Sequence, residues 1–140
     1  MVEYPCGQPR IFIDPDTDQY ALKQRWSDDL LIKTVDDVER GLNDGPLGSS
    51  VFKRRVAREG AGSAAGYRVV VVIRVGDKAF IVEAFAKNVK KAHSPPEVRA
   101  LRALADRLLA ISDSALTMAL KAGHLRELKR KHETDENKEL

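Results

Sequence analysis

The chain has 140 residues, 43% hydrophobic and 32% charged, which fits one globular domain with one modest core. No stretch approaches the roughly 18 uncharged apolar residues of a membrane span, no signal-peptide pattern opens the chain, and the single cysteine, Cys6, excludes an internal disulfide, so a soluble cytoplasmic protein is expected. The net charge of +3 is unevenly spread: residues 1–50 carry ten acids and five bases, whereas residues 51–91 carry ten bases and three acids, a focused positive field that attracts polyanions.

In chain order, residues 1–10, with two prolines, a glycine and the cysteine, read as an irregular segment ahead of a domain over 11–128. Ile11-Phe12-Ile13 is expected to form a first or edge strand. Asp14 to Asp18 is turn-rich and acidic and can cap a short helix over Tyr20 to Trp26. Ser27-Asp28-Asp29 starts a second helix of about 13 residues. Leu31, Val35, Val38 and Leu42 form its apolar stripe, and Gly41, or Gly45 with Pro46, ends it.

Gly45 to Ser50 reads as a loop, after which the period changes. Val51 to Arg58 suits a strand with Phe52 and Val56 on one face and Lys53 and Arg55 on the other; Arg54 falls on the Phe52 face and is expected at a margin or reaching to water. Residues 59–66 hold three glycines and read as a flexible loop. Tyr67 to Val75 is a β-branched run typical of a central strand, Gly76-Asp77 a tight turn, and Ala79 to Phe85 the third strand of an antiparallel meander.

Ser94-Pro95-Pro96-Glu97 carries an N-cap, a proline at N1 and a capping box. The helix it starts presents Val98, Leu101, Leu104, Ala105, Leu108 and Leu109 to the sheet. Ser112-Asp113 starts a shorter helix with Leu116, Ala119 and Leu120 inward and Gly123 as its C′ residue. Residues 129–140 are charged, lack a periodic apolar face and read as a disordered tail. The fold class is therefore α+β, a small antiparallel sheet with N-terminal and C-terminal helices packed on it.

The sequence holds no HExxH, CxxC or Walker pattern and no metal cluster, so no cofactor is expected. His93, His124 and His132 read as loop and near-terminal residues with no catalytic role. The basic set is more informative. Lys53 and Arg55 share a strand face, Arg58 stands at the entrance to the glycine loop, Arg68 at its exit, and Lys87, Asn88, Lys90 and Lys91 follow the third strand. Fixed cations of this kind stabilise the charge that builds on a phosphodiester in its transition state. RNA carries its own nucleophile, the 2′-hydroxyl, so a protein needs only alignment, a proton acceptor, a proton donor and charge stabilisation. A histidine pair can do this, as can a lysine with its pKa lowered by neighbouring cations.

The run GPLGSSVFKRRVAREGAGSAAGYR over residues 45–68, then GDKAFIVEAFAKN over 76–88, closely resembles the RelE/HigB-like toxins of bacterial type II toxin–antitoxin modules. The likeness is to the subgroup with a K-x-R-V-A-R strand, a glycine-rich loop, G-Y-R and a later F-x-K-N. The L-x-x-L-A-x-x-L-L helix and Ala122-Gly123-His124-Leu125 also fit, so the resemblance covers residues 20–128.

It implies a microbial-ribonuclease-type fold and a metal-independent mRNA endonuclease, acting usually in the ribosomal A site and leaving a 2′,3′-cyclic phosphate and a 5′-hydroxyl. It also implies a cognate antitoxin, often of helix-turn-helix type, that blocks the toxin and represses the operon. By motif position Lys53, Arg55, Arg68 and Lys87 are the implied catalytic set, and Arg54, Arg58, Tyr67, Asn88, Lys90 and Lys91 are candidate RNA contacts. Core packing is the competing role for Tyr67, as for Trp26 and Phe52, and plain surface charge for Arg54 and Arg58. Glu83 departs from the subgroup, which often has an aromatic there. It shares strand parity with Lys87 and is expected to pair with it. The alternatives are a non-catalytic member that keeps antitoxin or RNA binding, and a plain RNA-binding module.

Overall fold

The computed structural model describes residues 8–56, 66–90 and 92–130. Strand β1 (Arg10–Ile13) leads into helices α1 (Pro15–Lys23) and α2 (Asp28–Glu39); strands β2 (Gly45–Gly48), β3 (Val51–Val56), β4 (Tyr67–Arg74) and β5 (Lys78–Ala86) follow, then helices α3 (Pro95–Leu109) and α4 (Asp113–Lys121) and strand β6 (Arg126–Leu128). The described strands form one sheet in the order β2-β3-β4-β5-β1-β6.

The expected meander β3-β4-β5 is antiparallel throughout, and Gly76 takes φ +78° in its second turn. The sheet departs from the all-antiparallel expectation at one pair. β1 is no edge strand: it inserts parallel to β5 and antiparallel to β6, so both ends of the domain are stitched into the sheet. Residues 45–48, expected as a loop, are the edge strand β2. An edge tolerates Pro46, whose missing N–H would break an interior ladder.

The apolar residues alternate so that both sheet faces are buried. Val69, Val71 and Ile73 meet Ala21, Leu31, Val35 and Val38 of α1 and α2. Val70 and Val72 meet Phe12, Phe80, Ala105, Leu109 and Leu116, so α3 and α4 cover the opposite face. This double burial explains the nearly unbroken β-branched run of β4, since each fully buried valine or isoleucine contributes about 1.5–3 kcal/mol.

Helix boundaries follow their caps. Asp14 accepts from the Thr17 N–H at 3.2 Å with Pro15 in the first turn, which starts α1 earlier than the expected Tyr20–Trp26 span. Ser27 caps α2, which ends before Gly41 at φ +93°, leaving Leu42 outside the helix and 48% exposed rather than on its stripe. Ser94 and Glu97 form the expected capping box of α3, and Gly123 takes φ +80° after α4. Three of the acids near the N-terminus pair with arginines of the C-terminal segment: Arg126 of β6 grips Asp18 and Asp28 with four contacts of 2.8–3.0 Å, and Arg130 meets Asp36 at 2.8 Å. Cys6, Arg58, Gly60, Gly62, Lys91, His132 and the tail from residue 131 lie outside the described residues.

Candidate nucleic-acid interface

Strand parity sorts the basic residues onto two faces. Val51 belongs to the α3 side of the sheet, so Lys53 and Arg55, two and four residues on, share that face. Val70 and Val72 place Arg68 there too. Register then joins them: Arg55 is opposite Arg68, which is opposite Phe85, and Lys53 is opposite Val70, which is opposite Glu83. Lys87 follows β5 by one residue, and its N–H donates to the Gly66 carbonyl at 3.1 Å, which sets it beside the start of β4.

Lys53 has a fitted seat. A Cβ at its register partner Gly45 would stand 3.3 Å from Lys53 Cε, so the missing side chain, at φ +143°, is what lets the lysine stem lie across β2.

Among the described residues, Lys53, Arg55, Arg68 and Lys87 have no carboxylate within ion-pair distance, whereas Arg54, Arg74, Lys78 and Lys90 all do. Arg54 lies on the α2 face, where Asp37 takes its Nη2 at 3.1 Å and Asp44 its Nη1 at 3.8 Å. That placement corrects its expected reach to water and removes it from the cationic face. Burial pushes the Asp37 carboxyl up, but hydrogen bonds from Arg54 and Arg40, with Lys33 nearby, outweigh it and hold the group below the ordinary carboxylate range. Tyr67 also turns to the α2 face and packs edge-on against Trp26 at 5.5 Å and Tyr20 at 6.4 Å, a core role. Asn88 is exposed in the turn after β5.

Glu83 does not pair with Lys87. Its Oε1 lies 2.8 Å from His93 Nε2 and its Oε2 3.5 Å from Lys90 Nζ, and Lys90 makes a second, closer contact with Glu97. The Lys90 hydrogen bond, with the N-cap contacts of Ser94, holds the Glu97 carboxyl down to about 2. The His93 side chain is only 1% exposed, and its ring stands edge-on to Phe85 at 5.5 Å. Its Nδ1 is buried with no partner among the described residues. Sequence reasoning passed over His93 because it sits between elements. The Ser94-Pro95 helix start that follows was the available signal that this histidine is held rather than loose.

A cleft of about 310 Å³ between the β2–β3 turn and α3 opens on the same side of the sheet, lined by Ser49, Ser50, Arg102 and Asp106 among others, but by none of the four unpaired cations. Of those four, Arg55 and Lys87 are exposed and Lys53 and Arg68 half-buried.

A six-stranded sheet covered by helices on both faces defines a small α+β domain. Residues 9–128 match the family model described as RelE toxin of RelE/RelB toxin–antitoxin system, and the chain belongs to this family. It is thus the toxin side of a toxin–antitoxin pair, with a cognate antitoxin as its partner. A comparison with curated proteins gives no match. No helix among the described residues is long and apolar enough to cross a membrane.

Proposed function

We propose that the chain is a metal-independent mRNA endoribonuclease that uses the RNA 2′-hydroxyl as nucleophile and acts on ribosome-bound messages. The observation that carries this reading is the pairing row Arg55–Arg68 with Lys53 and Lys87 beside it, four cations without carboxylate partners among the described residues. Folding around unpaired cations sacrifices ion pairs that Arg54 and Lys90 show to be available nearby. A polyanion that enters this face supplies the missing counter-charge.

Arg68 stabilises the transferring phosphate, because a planar fork meets two phosphate oxygens and stays charged. It stands at the start of β4, a strand buried on both sides, so a rigid element aims it. Lys53 and Lys87 clamp charge and move protons, and Arg55 holds the backbone. The antitoxin silences the protein by covering this face or holding it off the ribosome; a helix-turn-helix partner fits that role.

Single-turnover cleavage of mRNA on programmed ribosomes, at saturating protein, tests the reading. Arg68→Ala is expected to slow cutting about a hundredfold, the roughly 3 kcal/mol of one transition-state contact. Lys53→Ala and Lys87→Ala should slow the same step. If all three cut at the wild-type rate and only affinity changes, the face binds RNA without cleaving it.

A further inference from the structure

We propose that Glu83 is the proton acceptor of the cleavage step, held in place by His93 and Lys90; the inference rests on the ribonuclease reading above. The first observation is a β-bulge. The β4–β5 register shifts between Val70 and Val71, which pair with Glu83 and Ile81 and leave Val82 as the extra residue. Strict alternation from Phe80 and Val82 would turn residue 83 toward α2; the bulge returns it to the face of Lys53 and Arg68. Re-aiming a side chain beside a reacting centre is a common use of a bulge.

The second observation is the buried histidine. His93 Nε2 donates to Glu83 Oε1 at 2.8 Å while Nδ1 has no partner among the described residues. The ring is 1% exposed and stands edge-on to Phe85, so it holds the carboxylate it contacts in a fixed direction. The third is charge. Lys90 at 3.5 Å offsets the carboxylate's repulsion of a phosphate, yet the Glu83 side chain stays 30% exposed and can be reached.

The placement suits in-line displacement. Lys53, Val70 and Glu83 are register partners on three adjacent strands, so an ammonium on β3 and a carboxylate on β5 flank β4 from opposite sides, their strands about 10 Å apart. Arg68 lies on β4 between them, two residues from Val70. Glu83 Oε2 takes the 2′-hydroxyl proton as O2′ bonds to phosphorus. The P–O5′ bond breaks, and the Lys53 ammonium gives its proton to the leaving O5′. The products are a 2′,3′-cyclic phosphate and a 5′-hydroxyl, and water returns Glu83 and Lys53 to their starting states. The charged and titratable groups around Glu83 are His93 from the segment before α3, Lys90 from the turn after β5, Glu97 from α3, and, on the same sheet face, Arg68 from β4 and Lys53 from β3 beyond it.

The test is the ribosome-programmed single-turnover assay run across pH with Glu83→Gln and Glu83→Asp. The glutamine keeps an oxygen for the His93 N–H. It is expected to bind the programmed ribosome as before, cut about a hundredfold more slowly and lose the acidic limb of the pH–rate profile. The aspartate, shorter by one methylene, should cut slowly but keep that limb. A purely structural Glu83 would alter the melting temperature and leave the limb in place. Wild-type rate and pH profile in Glu83→Gln overturn the assignment, while slowing by Arg68→Ala in the same assay leaves the ribonuclease reading standing. If the wild-type chain cuts no message, with or without ribosomes, both fall.

Discussion

At the scale of single residues, the division between Arg54 and its neighbours Lys53 and Arg55 separates stability from function. Asp37 is 5% exposed and receives Arg40 at 2.6 Å and Arg54 at 3.1 Å. Its carboxyl is depressed in the folded chain, so the stability it contributes is present in full above the ordinary value of 3.8 and is lost as the pH falls below it. Asp37→Asn is expected to cost about 2 kcal/mol in chemical denaturation near neutral pH, the scale of hydrogen bonds to a buried charge. The gap between variant and wild type should close as the pH drops below 3.8. A gap that stays constant into acid would show that the charge of Asp37 is not what holds Arg54.

At the scale of elements, the start of α3 and the end of β5 form one connected unit. Ser94 accepts from the Glu97 N–H at 3.3 Å, the Ser94 N–H donates to Glu97 Oε1 at 2.8 Å, and Lys90 ties Glu97 to Glu83. Ser94→Ala is expected to cost about 1 kcal/mol in an unfolding measurement, as loss of an N-cap usually does. If the unit also positions Glu83, the same variant should lower the cleavage rate more than Ser112→Ala, which removes the equivalent cap of α4 away from this cluster. Equal effects of the two on cleavage would mean that α3 serves the face only as a cover.

At the scale of the whole molecule, membership of a toxin family leads to a cellular prediction. Expression of this chain alone should stop bacterial growth, and co-expression of its cognate antitoxin should restore it. The measurement is growth alongside the level of soluble protein. Unimpeded growth with abundant soluble chain would favour the non-catalytic alternative, in which the fold keeps antitoxin binding and loses cutting.

The sequence by itself determined the kind of most elements, β2 and β6 excepted, and the family. The 3.6-residue stripes, the Ser94-Pro95-Pro96-Glu97 start, the Gly76 and Gly123 stops and the β-branched run of β4 are set by forces acting within a few residues, so they can be read in one dimension. The alternation of β3 likewise places Lys53 and Arg55 on the face opposite to Phe52. Only the tertiary structure decided that β1 joins β5 in parallel, that β2 is a strand, that Arg54 is held by Asp37, and that a bulge turns Glu83 toward Lys53 beside a buried His93. The physical reason is the same in each case. A strand's partner, its register and the choice of counter-ion depend on groups brought together through space, and local sequence period carries no record of that distance.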